Sequence, residues 1–444
     1  MFISNTKEQQ DEMLKEIGVS SFEDLIKKIP AKFLNSNFNI SKKSLTEIEA
    51  YRKFSELANK NTKILNFVGA GAYERYTPAV VTHIAERGEF LTAYTPYQAE
   101  ASQGLLQTIY EYQSQICALF DMDVSNASVY DGASALGEAA RACARITSRK
   151  KILYPKSLNP QYLTTLKTYF GNSSDYQFEA IEHSNGKIDI DSLKNKLDEN
   201  IACVIAQSPN FFGVLEDMSK ISELAHAKGA LFTAVTDPMS LALVNPPGSY
   251  DADFAVAEGQ SLGLPLNYGG PYLGIFTCKK KHIRQMPGRL VSMTTDTEGK
   301  RGFVLTLQAR EQHIRRDKAA SNICSNEALC ALMATIYMTL LGPEGMKEAA
   351  EANAFNTRYA LKEILALDGI KLKFDNPFFN EFVVDFPNHP CELREKILKE
   401  DSIDIGLPLE KSYPDMKNSL LICATETKTK EDIDKLTAAL RRNL

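Results

Sequence analysis

Residues 202–278 decide the fold. They contain ACVIAQSP (202–209), MSKISELAHAKG (218–229), ALFTAVTD (230–237), DFAVAEG (253–259) and YLGIFTC (272–278). Four of these are short apolar runs without polar alternation, which is the pattern of strands buried on both faces. The second has the apolar spacing of a helix, and Gly229 stops it. Strand, helix and strand in succession predict an α/β domain with a mainly parallel sheet covered on both sides. Ligands of such sheets sit at the carboxyl ends of the strands. That rule directs attention to Asp237 and to the loop that follows residue 259.

The pattern extends outward in both directions. Segment 131–147 is Ala-rich and helical, and KILYP (151–155) reads as a strand. The N-terminal part reads as a helical arm. Residues 6–17 form a polar helix ended by Gly18, and Ser20 with Glu23 and Ser44 with Glu47 have capping-box spacing. Ile48, Tyr51, Phe54 and Leu57 lie on one helical stripe. Beyond the Gly342-Pro343 break the style changes to a helix over about 344–367, strands at 369–374, 380–386 and 419–425, and helices at 391–400 and 428–443. The organisation expected is an arm (1–65), a large α/β domain (66–335) and a small α+β domain (336–444).

Composition narrows the function. The 51 basic and 56 acidic residues leave a net charge of −5, so bulk electrostatics give no push toward nucleic acid. The apolar stretch 328–341 is shorter than the roughly 20 residues of a membrane helix, and the opening residues lack an apolar signal core. No membrane association and a cytoplasmic location are expected. The eight cysteines are scattered without CxxC pairs, and the six histidines lack ligand spacing, so no metal site is expected. No Walker A, GxGxxG-helix, GxSxG or HExxH pattern occurs.

Four stretches stand out. In SVYDGASALGEAARA, Gly132 and Ser134 sit where a loop enters a helix, which suits either a phosphate held by free N–H groups or an ordinary cap by Asp131. Asp237 closes a strand before Pro238, so it either faces a ligand or caps a turn. The run AEGQSLGLPLNYGGPYLG (257–274) brings backbone close to a ligand or a second subunit, or makes a tight hairpin with φ > 0 at Gly269 or Gly270. The segment 300–325 concentrates Arg301, Arg310, Arg315, Arg316 and Lys318, as an anion site, a subunit contact or a solvated helix face.

Together these stretches resemble one family. TAYTPYQAEASQG (92–104), NASVYDGASALGEA (126–139), QSPNFFGVLED (207–217), PLNYGGPYLGIF (265–276) and the long run from Gly288 to Leu329 are similar to the first subunit of two-subunit glycine decarboxylase, the P-protein of the glycine cleavage system. The resemblance implies a fold-type-I pyridoxal-phosphate architecture, like that of aspartate aminotransferase. It also implies a reaction: glycine condenses with the cofactor, carbon dioxide leaves, and the aminomethyl group passes to the lipoyl arm of the H-protein.

The resemblance implies roles for individual residues. Asp237 fits the aspartate that pairs with the cofactor's ring nitrogen. The position of the cofactor-binding lysine falls on Gln260, whose amide nitrogen is not nucleophilic because its lone pair is delocalised. No lysine lies between Asp237 and Lys279, and Lys279, Lys280 and Lys281 read as exposed. The chain is therefore expected to carry no covalent pyridoxal phosphate and no catalytic residue of its own. The cofactor belongs on a second subunit, in a heterotetramer of two plus two, and the isolated chain is expected to be inactive. Tyr94, Thr95, Tyr97 and Gln98 of the YTPYQ loop, with Ser321 and Asn322 of the SNICS loop, are the candidates for completing the partner's active site. Gly132, Ser134, Asp237 and Gln260 are the candidates for a vestigial cofactor site. The family run ATSNIC reads AASNIC here, so Ala320 replaces a threonine hydroxyl. The competing expectation is a scaffold that only stabilises the partner or docks the H-protein.

Overall fold

A computed structural model describes residues 4–34, 44–171 and 175–444. It separates into two compact units, Met1–Thr62 and Lys63–Leu444.

Among the described residues the first unit holds the α-helices α1 (Lys7–Ile17), α2 (Phe22–Ile26) and α3 (Glu47–Ala58). Gly18 ends α1 with φ 85°, a conformation that costs glycine little. Two expected caps move by one or two residues. The boxes are Ser21 with Asp24 and Thr46 with Glu49, not Ser20 with Glu23 or Ser44 with Glu47. In both places two overlapping Ser/Thr-x-x-acid pairs compete. The winning pair has its hydroxyl on the backbone N–H three residues on and its carboxylate on the cap N–H. Ile48, Tyr51, Phe54 and Leu57 of α3 are exposed.

The second unit is built on a seven-stranded sheet. Its strands are β1 (Val124–Ser125), β2 (Lys151–Pro155), β3 (Gln177–Ile181), β4 (Ile201–Ser208), β5 (Leu231–Thr236), β6 (Phe254–Glu258) and β7 (Gly274–Cys278). Their spatial order is β1-β7-β6-β5-β4-β2-β3. The run from β3 to β6 is parallel, while β7 and β1 join antiparallel at the edge. Helices cover both faces: α4 (Gln103–Phe120), α5 (Gly132–Thr147), α6 (Pro160–Phe170), α7 (Met218–Ala227) and α8 (Ala328–Leu365). Side chains of β4, β5 and β6 alternate between two cores. Val204, Phe232 and Ala255 pack toward α4, α7 and α8, whereas Ile205, Val235 and Val256 pack toward α5 and α6. Burial on both faces explains the unbroken apolar runs.

Helix α8 is long because two helices meet at a kink. Gly342 adopts φ 61° and ψ −177°, and Pro343, which has no N–H to donate, begins the second part. By length and composition it could cross a membrane, but the kink interrupts it and its first part packs in the sheet core. A hairpin of β8 (Leu290–Thr295) and β9 (Arg301–Thr306) forms a separate two-stranded sheet; only β9 lies in the basic run, and the sequence pattern predicts neither strand. The last part is a four-stranded sheet, in the order β10 (Lys371–Leu372), β11 (Glu381–Asp385), β13 (Ser419–Cys423) and β12 (Leu407–Pro408). It is backed by α9 (Pro390–Asp401) and α10 (Lys430–Asn443).

Candidate functional site

The register of the parallel strands assembles the site. Ser208 of β4 pairs with Thr236 of β5, and Thr236 pairs with Ala257 of β6. The carboxyl ends of three strands therefore stand side by side; Asp237 follows β5, Glu258 closes β6 and Gln260 lies two residues beyond it. Helix α5 begins against the same end, so Gly132 joins the group.

Two side chains of the chain itself bond to the amino end of α5. Asp131 caps it, accepting the Ser134 N–H at 2.7 Å and the Ser134 hydroxyl. The Gly132 N–H is taken by Glu258 Oε2 at 3.0 Å. Glu258 Oε1 accepts the N–H groups of Gln260 and Leu273, each at 3.0 Å. One carboxylate thus occupies the place where free N–H groups would hold a phosphate. Burial raises the Glu258 carboxyl to about 8 despite its three N–H donors. A Cβ on Gly132 would lie 2.2 Å from the Tyr162 hydroxyl and 2.7 Å from the Glu258 nitrogen, so the glycine is needed for close approach rather than for a turn.

Gln260 is buried and fully paired. Its Oε1 accepts the Tyr73 N–H at 2.8 Å, and its Nε2 donates to the carbonyls of Tyr73 at 2.9 Å and Leu264 at 2.8 Å. Asp237 is engaged as well. Oδ1 accepts the Met239 N–H at 2.9 Å, which caps a turn, while Oδ2 accepts from Asn380 at 2.9 Å and lies 3.7 Å from the Arg75 guanidinium. Arg75, wholly buried at its side chain, also pairs with Glu426 at 2.7 Å. Beside it, burial pushes the Glu381 carboxyl up to about 7, although Glu381 accepts the Ala70 N–H and the Tyr73 hydroxyl. Sequence reasoning missed Glu258, Tyr162, Arg75 and Glu381. The signal for Glu258 was a lone acid closing an apolar strand.

The space left between these groups is about 30 Å³, bounded by Gly71, Tyr73, Asn159, Tyr162, Asp237 and Gln260. Ligand pockets run to roughly 300–1,000 Å³, far above this volume. Pyridoxal phosphate does not fit among these residues: its phosphate cradle holds a carboxylate and its ring space is packed.

The loop from residue 259 to 273 is no tight hairpin. It joins antiparallel β6 and β7 through fifteen residues, with positive φ at Asn267, Tyr268, Gly269 and Gly270, and leaves Tyr268 fully exposed. Lys280 and Lys281 are exposed, but Lys279 is not. It turns inward to Asp251 at 2.7 Å and Asp253 at 3.1 Å. In the basic run, Arg315, Arg316 and Lys318 face solvent. Arg310 is turned inward, with Nη1 on the Met286 carbonyl and Nη2 on the Gly288 carbonyl.

Among the described residues the YTPYQ loop makes no hydrogen bond to Gly132, Asp237, Glu258 or Gln260. Tyr94, Tyr97 and Gln98 are exposed and Thr95 is half-buried. The Tyr97 ring meets His313 edge-on at 5.6 Å and stacks under the Arg289 guanidinium at 5.5 Å. Ser321 is buried and donates its hydroxyl to Glu138 at 2.9 Å, whereas Asn322 is exposed. No group of three or more His, Cys, Asp or Glu side chains disposed to hold a metal occurs among the described residues.

Comparison with known proteins places this geometry. The family model "Glycine cleavage system P-protein" matches residues 1–440. A protein of Moorella thermoacetica named probable glycine dehydrogenase (decarboxylating) subunit 1 is 48% identical over 441 residues, covering 99% of each chain. A protein of the same name from Desulforamulus reducens is 47% identical over 443 residues, again covering 99% of each. The crystal structure of an inhibitor-bound glycine decarboxylase (P-protein) of the glycine cleavage system superposes with a TM-score of 0.89 at 40% identity, covering 100% of both chains. A sphingosine-1-phosphate lyase of Burkholderia pseudomallei shares the fold at 12% identity and a TM-score of 0.65, covering 93% of this chain and 95% of that one. The chain belongs to the glycine cleavage system P-protein family, and its α/β architecture is that of fold-type-I pyridoxal-phosphate enzymes.

Proposed function

We propose that this P-protein family member is the subunit of a two-subunit glycine decarboxylase that does not carry the cofactor, and that it completes the active site of the subunit that does. The observation that carries the reading is the filled strand end. Glu258 occupies the amino end of α5, Gln260 is locked to the Tyr73 and Leu264 backbone, and about 30 Å³ remains between them.

On this reading pyridoxal phosphate sits on the partner, where it supplies the electron sink for loss of carbon dioxide from glycine. This chain contributes the YTPYQ loop and Asn322. Their hydroxyl and amide groups can donate hydrogen bonds to an anionic group of the partner's site and orient it. The assembly is two plus two in the cytoplasm, and the aminomethyl product leaves on the lipoyl arm of an H-protein.

A scaffold that only stabilises the partner is favoured by one observation: the Ser321 hydroxyl is spent inside the chain on Glu138. The two readings separate in the assembled complex. Tyr97→Phe and Asn322→Ala are expected to lower turnover while the complex stays intact. Full turnover with both substitutions would leave only the scaffold.

A further inference from the structure

Arg289 is among the largest buried side chains of the described residues, and the proposed function gives it no role. It stands at the entry to β8, and its surroundings are specific. Its Nη2 donates to the Tyr97 hydroxyl at 3.2 Å and to the Cys324 carbonyl. Its planar group lies over the Tyr97 ring, 5.5 Å from the centroid. One guanidinium therefore joins the YTPYQ loop to the SNICS loop, two segments more than 220 positions apart in sequence.

The backbone around Arg289 is fixed independently. Arg310 binds the carbonyls of Met286 and Gly288, one on the residue just before Arg289 and one two positions earlier. The Arg289 carbonyl accepts the Ala127 N–H at 2.9 Å. Asn326 donates to the Ala127 carbonyl at 3.1 Å, and the Ser128 hydroxyl accepts the Glu327 N–H at 3.0 Å, so the far side of the SNICS loop is tied to the same strand edge. The guanidinium is thus held at its root and aimed between two loops that share no other hydrogen bond, ion pair or ring contact among the described residues.

This arrangement is costly for stability. Nε and Nη1 of Arg289 are buried without an acceptor among the described residues, and a buried cation lacking a counter-ion is worse for folding than a packed apolar side chain. A residue kept only for the core would not be arginine.

We propose that Arg289 is a positioning residue for the decarboxylase reaction, which sets Tyr97 against the SNICS loop so that both reach the partner's active site together. This rests on the proposed function. Lysine keeps the charge but not the planar fork that spans two acceptors and stacks on a ring.

The test is a double-mutant cycle in the complex with the second subunit, reading kcat and KM for glycine-dependent carbon dioxide release with a lipoylated carrier. Arg289→Lys and Tyr97→Phe are each expected to lower kcat by roughly tenfold or more, with KM for glycine within about twofold and assembly unchanged. If Arg289 acts through Tyr97, the double variant is no worse than the poorer single one. Effects that multiply would overturn the proposal, as would wild-type kcat in R289K beside an impaired Y97F. Silence of both would instead defeat the reading that the loop completes a site. Should R289K fail to assemble, amide hydrogen exchange of Y97F decides without touching Arg289. Exchange at residues 321–326 should quicken because the shared anchor has lost an acceptor, and unchanged exchange there would overturn the proposal.

Discussion

The Glu258 carboxyl group accepts the Gly132 N–H at 3.0 Å, so a strand end and a helix start that could hold an external anion are closed by a side chain of the chain itself. The helix dipole favours a negative group at this place, and burial opposes it, raising the carboxyl to about 8. The unfolded chain gives the same group an ordinary value near 4.5. A carboxyl raised on folding stabilises most below its unfolded value, and the contribution fades as pH rises through its folded value. Stability is therefore expected to fall between about pH 4.5 and 8. Glu258→Gln should flatten that slope while losing about 1–3 kcal/mol from its misplaced amide donor. Thermal melts across the window check both, and an unchanged slope in the variant would refute the assignment.

On the proposed reading Gln260 stands where a cofactor-binding lysine would be, and Gln260→Lys should still give no binding. Space for the ring is absent, and the substitution removes the acceptor of the Tyr73 N–H. Destabilisation of about 1–3 kcal/mol is expected, with no visible absorption band after pyridoxal phosphate is added.

Gly132→Ala should destabilise by about 1–3 kcal/mol, the range for overpacking a filled site. Two of the close neighbours of its new methyl are backbone atoms of Ala257 and Glu258, which cannot swing aside. Tyr162→Phe in the same chain should therefore recover only part of the loss in a denaturant melt.

Asp253 anchors another part of the fold. It lies within 3.3 Å of His226, His282, Lys279 and Lys281 and accepts the Phe232 N–H. Burial pushes its carboxyl up, but the two histidines, the Phe232 N–H and Lys279 overcome that and hold it well below the usual carboxylate range. A depressed carboxyl stabilises above its unfolded value, and the contribution is lost as pH falls below that value. Asp253→Asn should cost about 3 kcal/mol near neutral pH, and the difference from wild type should shrink below about pH 4. A penalty that stayed constant into acid would contradict this.

How much of this could be read from the chain follows from its physics. The sheet was legible because β4, β5 and β6 are buried on both faces and show unbroken apolar runs. The hairpin of β8 and β9 was not, because within it only Leu290, Val291 and Phe303 are buried and its far end carries polar residues such as Thr294, Thr295 and Arg301. Gly132 could be singled out from the loop that enters a helix, and Gln260 only through the family resemblance. The partners that fill their surroundings could not, because Tyr162, Arg75 and Glu381 arrive from distant segments through the topology. Arg289 had no local signal either, since its burial depends on Tyr97 and Cys324 together.

The central claim is that this chain takes part in a cofactor-dependent reaction without holding the cofactor. The most direct test is borohydride reduction of the assembled two-subunit enzyme with pyridoxal phosphate, followed by intact-mass measurement of each chain. The account predicts a stoichiometric reduced adduct on the partner subunit and an unchanged mass for this chain. A stoichiometric adduct on any lysine of this chain would contradict it.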